Sequence, residues 1–296
     1  MRYRLKHWLE YGIVCFWVGV FRLLPYRGAL LIGWVAAWFG HYLVRYRRNI
    51  VYARIRQVFP DLPPSRVRAI AWLSWRNLVF NVIDTLRVSK MDTVWLQRHV
   101  VDCDEVYRGF ASAGIPAHGL VAVSMHMGCA EIAARMLQQV AARVFVIFKT
   151  QKNLLVDRKL HAMRGATGIA CLPVGDGVYR QILRRLRDHE TLAMLADLRV
   201  DDGGVLVDFL GHKASVGAGA ALFARRAGVS LLVAVFGRIG WCKHRVAIKM
   251  ILVPDMSLSV EADVQRMMQI VFTEFDRAIR AQPEQWFWYN KKWILG

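Results

Sequence analysis

Two side chains in the run His126-Met127-Gly128-Cys129-Ala130-Glu131 are of types that do acid–base chemistry together. A carboxylate that accepts the N–H of one imidazole nitrogen fixes the tautomer and raises the basicity of the other nitrogen. That free nitrogen can take a proton from a hydroxyl while its oxygen attacks a reactive carbonyl, with no side-chain nucleophile required. The spacing sets a condition on this pairing. In a continuous α-helix, residues five apart point about 140° away from each other. His126 and Glu131 therefore meet only if the histidine lies at or before a helix cap. Gly128 permits the backbone angles of such a bend, and N–H groups at the helix start around Gly128 are placed to act as oxyanion donors. Taken alone the spacing is a weak signal, because His and Glu fall five apart by chance.

The elements around the motif fit the condition. A strand is expected over GLVAVS (119–124), immediately before His126, and a helix over AEIAARMLQQVAA (130–142) after it. Further strand-like runs are 143–148, 191–197, 205–210, 230–238 and 245–253. Helix-like stretches lie at 63–87, 153–164, 178–187, 217–227 and 261–281. This alternation argues for an α/β layered domain with a central, mostly covered sheet flanked by helices. Strand ends in such folds are where ligands meet the chain.

At 296 residues, with 55% hydrophobic content and no Gly/Ser tract, Pro run or repeat, the chain is organised as one α/β domain over 61–296 preceded by an N-terminal region over 1–60. In that region Tyr11–Phe21 carries no charge and Gly28–Val44 carries only His41. The second stretch, 17 residues, sits at the lower edge of what a spanning helix needs, about 20. Basic residues flank both stretches: Arg2, Arg4 and Lys6 before, Arg45, Arg47, Arg48, Arg54 and Arg56 after. The pattern suits a helix pair dipping into one leaflet or an anchor lying in the interface, so membrane association is expected and its topology is left open. Forty-one Lys and Arg against 22 Asp and Glu give a formal charge of +19, which implies acidic partners. High charge joined to high hydrophobicity favours lipid over nucleic acid.

Several motif-like features carry no chemistry. Five cysteines, Cys15, Cys103, Cys129, Cys171 and Cys242, form no CxxC and indicate neither a disulfide framework nor a zinc site. Cys129 reads as a small buried residue rather than a nucleophile. Asp201 and Asp202 with Gly203 and Gly204 form a turn rather than a metal site. GAGA at 217–220 starts a packed helix and is no dinucleotide fingerprint, HETLA at 189 lacks the second histidine of a zinc protease, and no G-x-S-x-G esterase elbow is present. Trp286, Trp288 and Trp293 read as packing residues.

Taken in order along the chain, the motifs resemble those of the bacterial lipid A biosynthesis acyltransferases, the lauroyl and myristoyl transferases of lipopolysaccharide assembly. LLPYR and RYRRN…VFPDL resemble the family's basic stretch and its Phe-Pro turn, and His126 and Glu131 fall on its H-x4-D/E motif. KTQKNLLVDRKLHAMRGATG resembles the segment that places Asn153 and Arg164 in the substrate region. LAMLAD ending at Asp197, then VDFLGHKAS, resembles the later strand and its FFG-like turn, and PEQWFWYNKKW the closing tryptophan signature. Leu198 after Asp197, Leu154 after Asn153, Arg54 before the Phe-Pro turn and the missing aromatic before Glu131 depart from the pattern and mark a divergent member.

The resemblance implies direct transfer of a fatty acyl chain from acyl carrier protein to a hydroxyl of a phosphorylated glycolipid, at the cytoplasmic face of a bacterial inner membrane, without cofactor or metal. It implies His126 and Glu131 as the catalytic pair. Arg164 and Lys149 are candidates for phosphate contacts, since a guanidinium matches phosphate bidentately. Asn153 and Gly128 join the substrate region, and Asp197, at a strand end, is placed to orient site residues. A lipid or thioester hydrolase and a basic membrane-bound scaffold are the competing readings.

Overall fold

A computed structural model describes residues 3–112, 119–141 and 143–296. Arg2 of the basic cluster and Ala142 at the end of the expected 130–142 helix lie outside them. The chain opens with helices α1 (Leu5–Leu23) and α2 (Tyr26–Trp38), the second running into a π-helical turn over Phe39–Val44. Helices α3 (Arg48–Val58), α4 (Pro64–Arg87) and α5 (Thr93–His99) follow, then strand β1 (Val100–Val101) and helix α6 (Cys103–Ser112). The catalytic half reads β2 (Leu120–Ser124), α7 (Ala130–Gln138), β3 (Val144–Phe148), α8 (Leu154–Gly165), β4 (Ala170–Pro173), α9 (Val178–Arg187) and β5 (Thr191–Leu195). A separate hairpin, β6 (Val205–Phe209) with β7 (His212–Val216), leads to α10 (Gly219–Ala227), β8 (Ser230–Ile239), β9 (Lys243–Leu252) and α11 (Val260–Ala281).

The main sheet has the order β1-β9-β8-β2-β5-β3-β4, parallel throughout except for the antiparallel pair β8/β9. Its central strands are apolar on both faces, the signature of a parallel sheet covered by helices. One core, on the side of α10 and α11, joins Val121, Val123 and Leu192 to Phe272, Phe275, Trp286 and Trp288. The other, on the side of α6 and α7, takes the alternate strand residues with Ile132, Met136 and Leu137. The expected strands and helices stand with shifts of a residue or two at most ends. The two-residue β1, the four-residue β4, β7 and the helices α3, α5 and α6 are additions, of which β1 and β4 are too short for a periodicity to show.

Helix α4 is the strut of the molecule. Ser74, Asn77, Asn81 and Asp84 fall within an arc of about 80° at 100° per residue, a polar stripe along one side of the helix. Each member holds a different partner. Ser74 Oγ donates to the Trp286 carbonyl at 2.6 Å and Asn77 Nδ2 to that of Glu284 at 3.1 Å, which pins the C-terminal segment. Asn81 Nδ2 donates to the Gly128 carbonyl at 2.8 Å. Asp84 pairs with Arg238 of β8, both side chains fully buried, and accepts a hydrogen bond from Tyr26 of α2 at 2.8 Å. The N-terminal helices are thus tied into the α/β body: Tyr26 reaches α4, and Arg87 donates to the carbonyls of Phe21 and, at 2.8 Å, Leu24. Among the described residues no helix is long and apolar enough to cross a membrane.

Removing one partner of a buried ion pair leaves the other uncompensated, at about 3–5 kcal/mol. Asp84→Ala is expected to lower the unfolding free energy by about that amount, measured by urea titration. A loss below 1 kcal/mol would show that Arg238 finds other partners and that the strut is not where stability resides.

Candidate active site

His126 and Asp197 are brought together by sheet register. Parallel strands β2 and β5 are adjacent with Ser124 opposite Leu195, and Ala196 N–H extends the ladder to the Ser124 carbonyl at 2.9 Å. His126 and Asp197 each lie two residues past these strand ends, so they emerge level with one another at the carboxyl edge of the sheet. His126 Nδ1 is 2.7 Å from Asp197 Oδ1, and the His126 backbone N–H donates to Oδ2 at 2.9 Å. Trp286 Nε1 donates to the same Oδ2 at 2.8 Å. An ionised carboxylate only accepts, so Nδ1 carries the proton and Nε2 is the basic nitrogen. Nε2 has no partner among the described residues.

This corrects the expected pairing with Glu131. The bend at Gly128 does form, with φ of +67°, and α7 begins at Ala130. Yet the Glu131 side chain turns to Arg164, whose Nη2 lies 3.0 Å from Oε1. The carboxylate nearest in sequence sits across the helix cap, whereas the one 71 residues away sits at the same level of the neighbouring strand. Gly128 also serves the site differently from a substrate contact: its carbonyl is held by Asn81, and a Cβ there would stand 2.9 Å from the Phe236 backbone.

Burial disfavours the imidazolium, but the adjoining Asp197 charge and its hydrogen bond outweigh this and hold the His126 pKa above its ordinary value. For Asp197, burial pushes upward and the His126 charge, the imidazole bond and the Trp286 donor overcome it, so its pKa lies below the ordinary carboxylate range. Cys129 is buried, and burial together with the Asp84 and Glu131 charges holds its thiol well above the ordinary value. It remains protonated and is no nucleophile.

His126 opens onto a cavity of about 480 Å³, within the range of small-molecule sites. The space exists because facing side chains are small: Ala122, Ala193 and Ala234 on three neighbouring strands oppose Ala133 and Ala134 on α7. Two layers lined with alanine cannot close on one another at normal packing distance. The deeper walls, including Phe110, Leu137 and Leu232, are apolar, and the polar lining comprises His126, Glu131, Lys149, Arg164 and Ser124. Arg164 and Lys149 therefore share one cavity with His126. Asn153 is not in the lining. It caps α8, accepting from Leu155 N–H at 3.1 Å, and its amide donates to the His7 carbonyl at 2.9 Å and Glu10 Oε2 at 2.8 Å. Its role is to fasten α1 to the helix that carries Arg164. No group of three His, Cys, Asp or Glu among the described residues is placed to hold a metal ion.

Trp286 and Asn81 were not legible as site residues. The expected packing role of the C-terminal tryptophans holds for Trp286 and Trp288, which are buried, but Trp286 also supplies a donor to Asp197. A partial signal for Asn81 is the uncharged polar spacing Ser74, Asn77, Asn81 on one side of a helix whose neighbouring positions are buried, since buried polar groups demand partners.

A half-buried base oriented by a buried carboxylate, beside an apolar cavity with cations among its lining, is an arrangement suited to acid–base chemistry in an α/β enzyme. The chain belongs to the bacterial lipid A biosynthesis acyltransferase family, which it matches over residues 2–294, and it is an acyltransferase. It is 26% identical over 259 residues to the phosphatidylinositol mannoside acyltransferase of Mycolicibacterium smegmatis, covering 84% of this chain and 78% of the relative.

The imidazole must be neutral to act as a base, so the acid limb of the kcat/KM profile is expected above pH 6.5, the ordinary histidine value. Asp197→Asn is expected to move that limb to lower pH and to cut kcat on the order of 10²–10⁴-fold. A limb unmoved by the substitution would contradict the pairing. Gly128→Ala is expected to cost at least about 1–2 kcal/mol from the left-handed backbone alone, with a larger loss if Phe236 cannot yield.

Proposed function

We propose that the protein transfers a fatty acyl chain from the thioester of acyl carrier protein to a hydroxyl of a phosphorylated glycolipid. The observation that carries this reading is the apolar cavity running up to the free nitrogen of His126, with Arg164 and Lys149 in its lining. The acyl chain lies in the cavity with its thioester carbonyl beside the imidazole. His126 Nε2 takes the proton of the acceptor hydroxyl as its oxygen bonds to the carbonyl carbon, and the carbonyl electrons move onto oxygen. Collapse of this intermediate re-forms the carbonyl and breaks the C–S bond, and the leaving sulfur takes the proton from His126, which gives a thiol and returns the imidazole to its neutral form. Asp197 stays ionised and stabilises the imidazolium. N–H groups at the start of α7 face the developing oxyanion. The reaction uses neither cofactor nor metal.

Glu131 acts through Arg164, holding the guanidinium at the site until an acceptor phosphate competes for it. The lipid A precursor implied by the family is one such acceptor. The M. smegmatis relative is named for another phosphorylated glycolipid, so the phosphate is the shared feature. Acyl carrier protein and these lipids are acidic, and a formal charge of +19 would steer both. The N-terminal region leaves Trp8, Leu9, Ile13, Phe16 and Trp17 of α1 and Leu31, Val35 and Trp38 of α2 exposed. Apolar exposure on this scale, beside Arg4, Lys6, Arg22 and Arg27, supports seating on the cytoplasmic face of a bacterial inner membrane.

Purified protein given acyl carrier protein thioester with and without glycolipid separates the readings. Acceptor-dependent ester formation, lost in His126→Ala, is the expected result. Thioester breakdown that ignores the acceptor would instead make it a hydrolase, and no consumption at all would leave a binding protein. Arg164→Ala is expected to raise the acceptor KM with a modest change in kcat, and an unchanged KM on a phosphorylated acceptor would exclude the phosphate contact.

A further inference from the structure

We infer that Ser124, the last residue of β2 before the motif, contacts the acyl carbonyl with its hydroxyl and stabilises the oxyanion. The inference rests on the acyl-transfer reading above. Ser124 is 5% exposed and lines the cavity, two residues from both Ala122 and His126. Period-two alternation puts it on the same sheet face as Ala122, which also lines the cavity. Its hydroxyl is buried with no hydrogen-bond partner among the described residues. The sheet cannot supply one: its register partner on β5 is Leu195, and Ala234 lies one step beyond the last paired residue on β8. The Ser124 carbonyl is already occupied by the Ala196 N–H at 2.9 Å, and that bond leaves the hydroxyl untouched.

A buried donor left unmade is costly, and an apolar residue of the same size would fit the surroundings better. Alanine occupies the equivalent cavity-facing places at 122, 193 and 234. A hydroxyl kept among alanines in the cavity lining, two residues before His126, is placed for a ligand oxygen. When the acceptor oxygen bonds to the carbonyl carbon, Ser124 Oγ–H donates to the oxygen that takes the charge and keeps its own proton throughout. Ser124 thus complements the α7 N–H groups, which reach the oxyanion from the other wall.

The test is Ser124→Ala in the full-length protein, with kcat, donor KM and thermal midpoint measured on acyl carrier protein thioester and glycolipid. The assignment predicts a fall in kcat on the order of 100-fold, little change in donor KM, and a midpoint equal to or above wild type, because an unpaired hydroxyl has been removed. Ser124→Thr, which keeps the hydroxyl, is expected to recover most of the rate. An unchanged kcat, or a midpoint that drops because the hydroxyl was serving the fold, overturns the assignment. A raised KM at full kcat also overturns it, since that marks ground-state binding alone. Wild-type protein that consumes no thioester defeats the acyl-transfer reading and this inference together, whereas an active wild type with an equally active Ser124→Ala defeats only the second.

Discussion

The Asp197 carboxylate is the point on which the site is assembled. It is buried, and both its oxygens are occupied: one by the His126 ring, the other by the His126 backbone and the Trp286 indole. A buried charge is tolerable only when it is bonded in this way. The same three bonds that keep the carboxylate ionised fix the rotation of the imidazole and the approach of the C-terminal segment. Ser74 and Asn77 hold the 284–286 backbone against α4, and the Phe287 N–H donates to the His126 carbonyl at 3.0 Å, so that Trp286 is brought to Asp197. Gly128 holds its bend with Asn81 on its carbonyl, and Asn81 is held in turn by Arg238 at 3.0 Å. One helix therefore braces the histidine loop from below and the tryptophan from the side.

The division of labour between the two carboxylates follows from environment. Asp197 is buried and bonded at both oxygens, which suits a fixed orienting charge. Glu131 lines the cavity and faces a guanidinium that is itself partly exposed, an arrangement that can reorganise when a stronger anion enters. Both stand at the same cavity, one bonded to the imidazole and the other to a guanidinium. The apolar cavity adds the third component. Alanines on strands and helix open it, and His126, Glu131, Lys149, Arg164 and Ser124 supply its polar lining.

Much of the layered fold was legible, because the strands and helices that build it are long and strongly periodic: the 63–87 helix, the 230–238 strand and the 261–281 helix stand nearly as read. His126 was legible too, as a chemical residue directly after an apolar strand. The choice of Glu131 as its partner failed for a physical reason. Proximity in sequence is a poor guide across a strand-to-helix bend, while sheet register joins distant segments at one level. The parallel reading was available in the residues themselves, since VAVS-Met-His and LAML-Ala-Asp end in the same way, two residues past a strand. Pairing those strands needed the sheet order, which no local pattern encodes. Asn153 was misread for a similar reason: a capping asparagine and a substrate-binding one look alike until the partner helix is placed.

The central claim, that Asp197 rather than Glu131 sets the imidazole, is tested most directly by nitrogen-15 NMR of labelled histidine at the His126 resonance. The account predicts a neutral ring protonated at Nδ1, with a titration midpoint that moves down in Asp197→Asn and stays in place in Glu131→Gln. A ring protonated at Nε2, or a midpoint that responds to Glu131 and ignores Asp197, would contradict it.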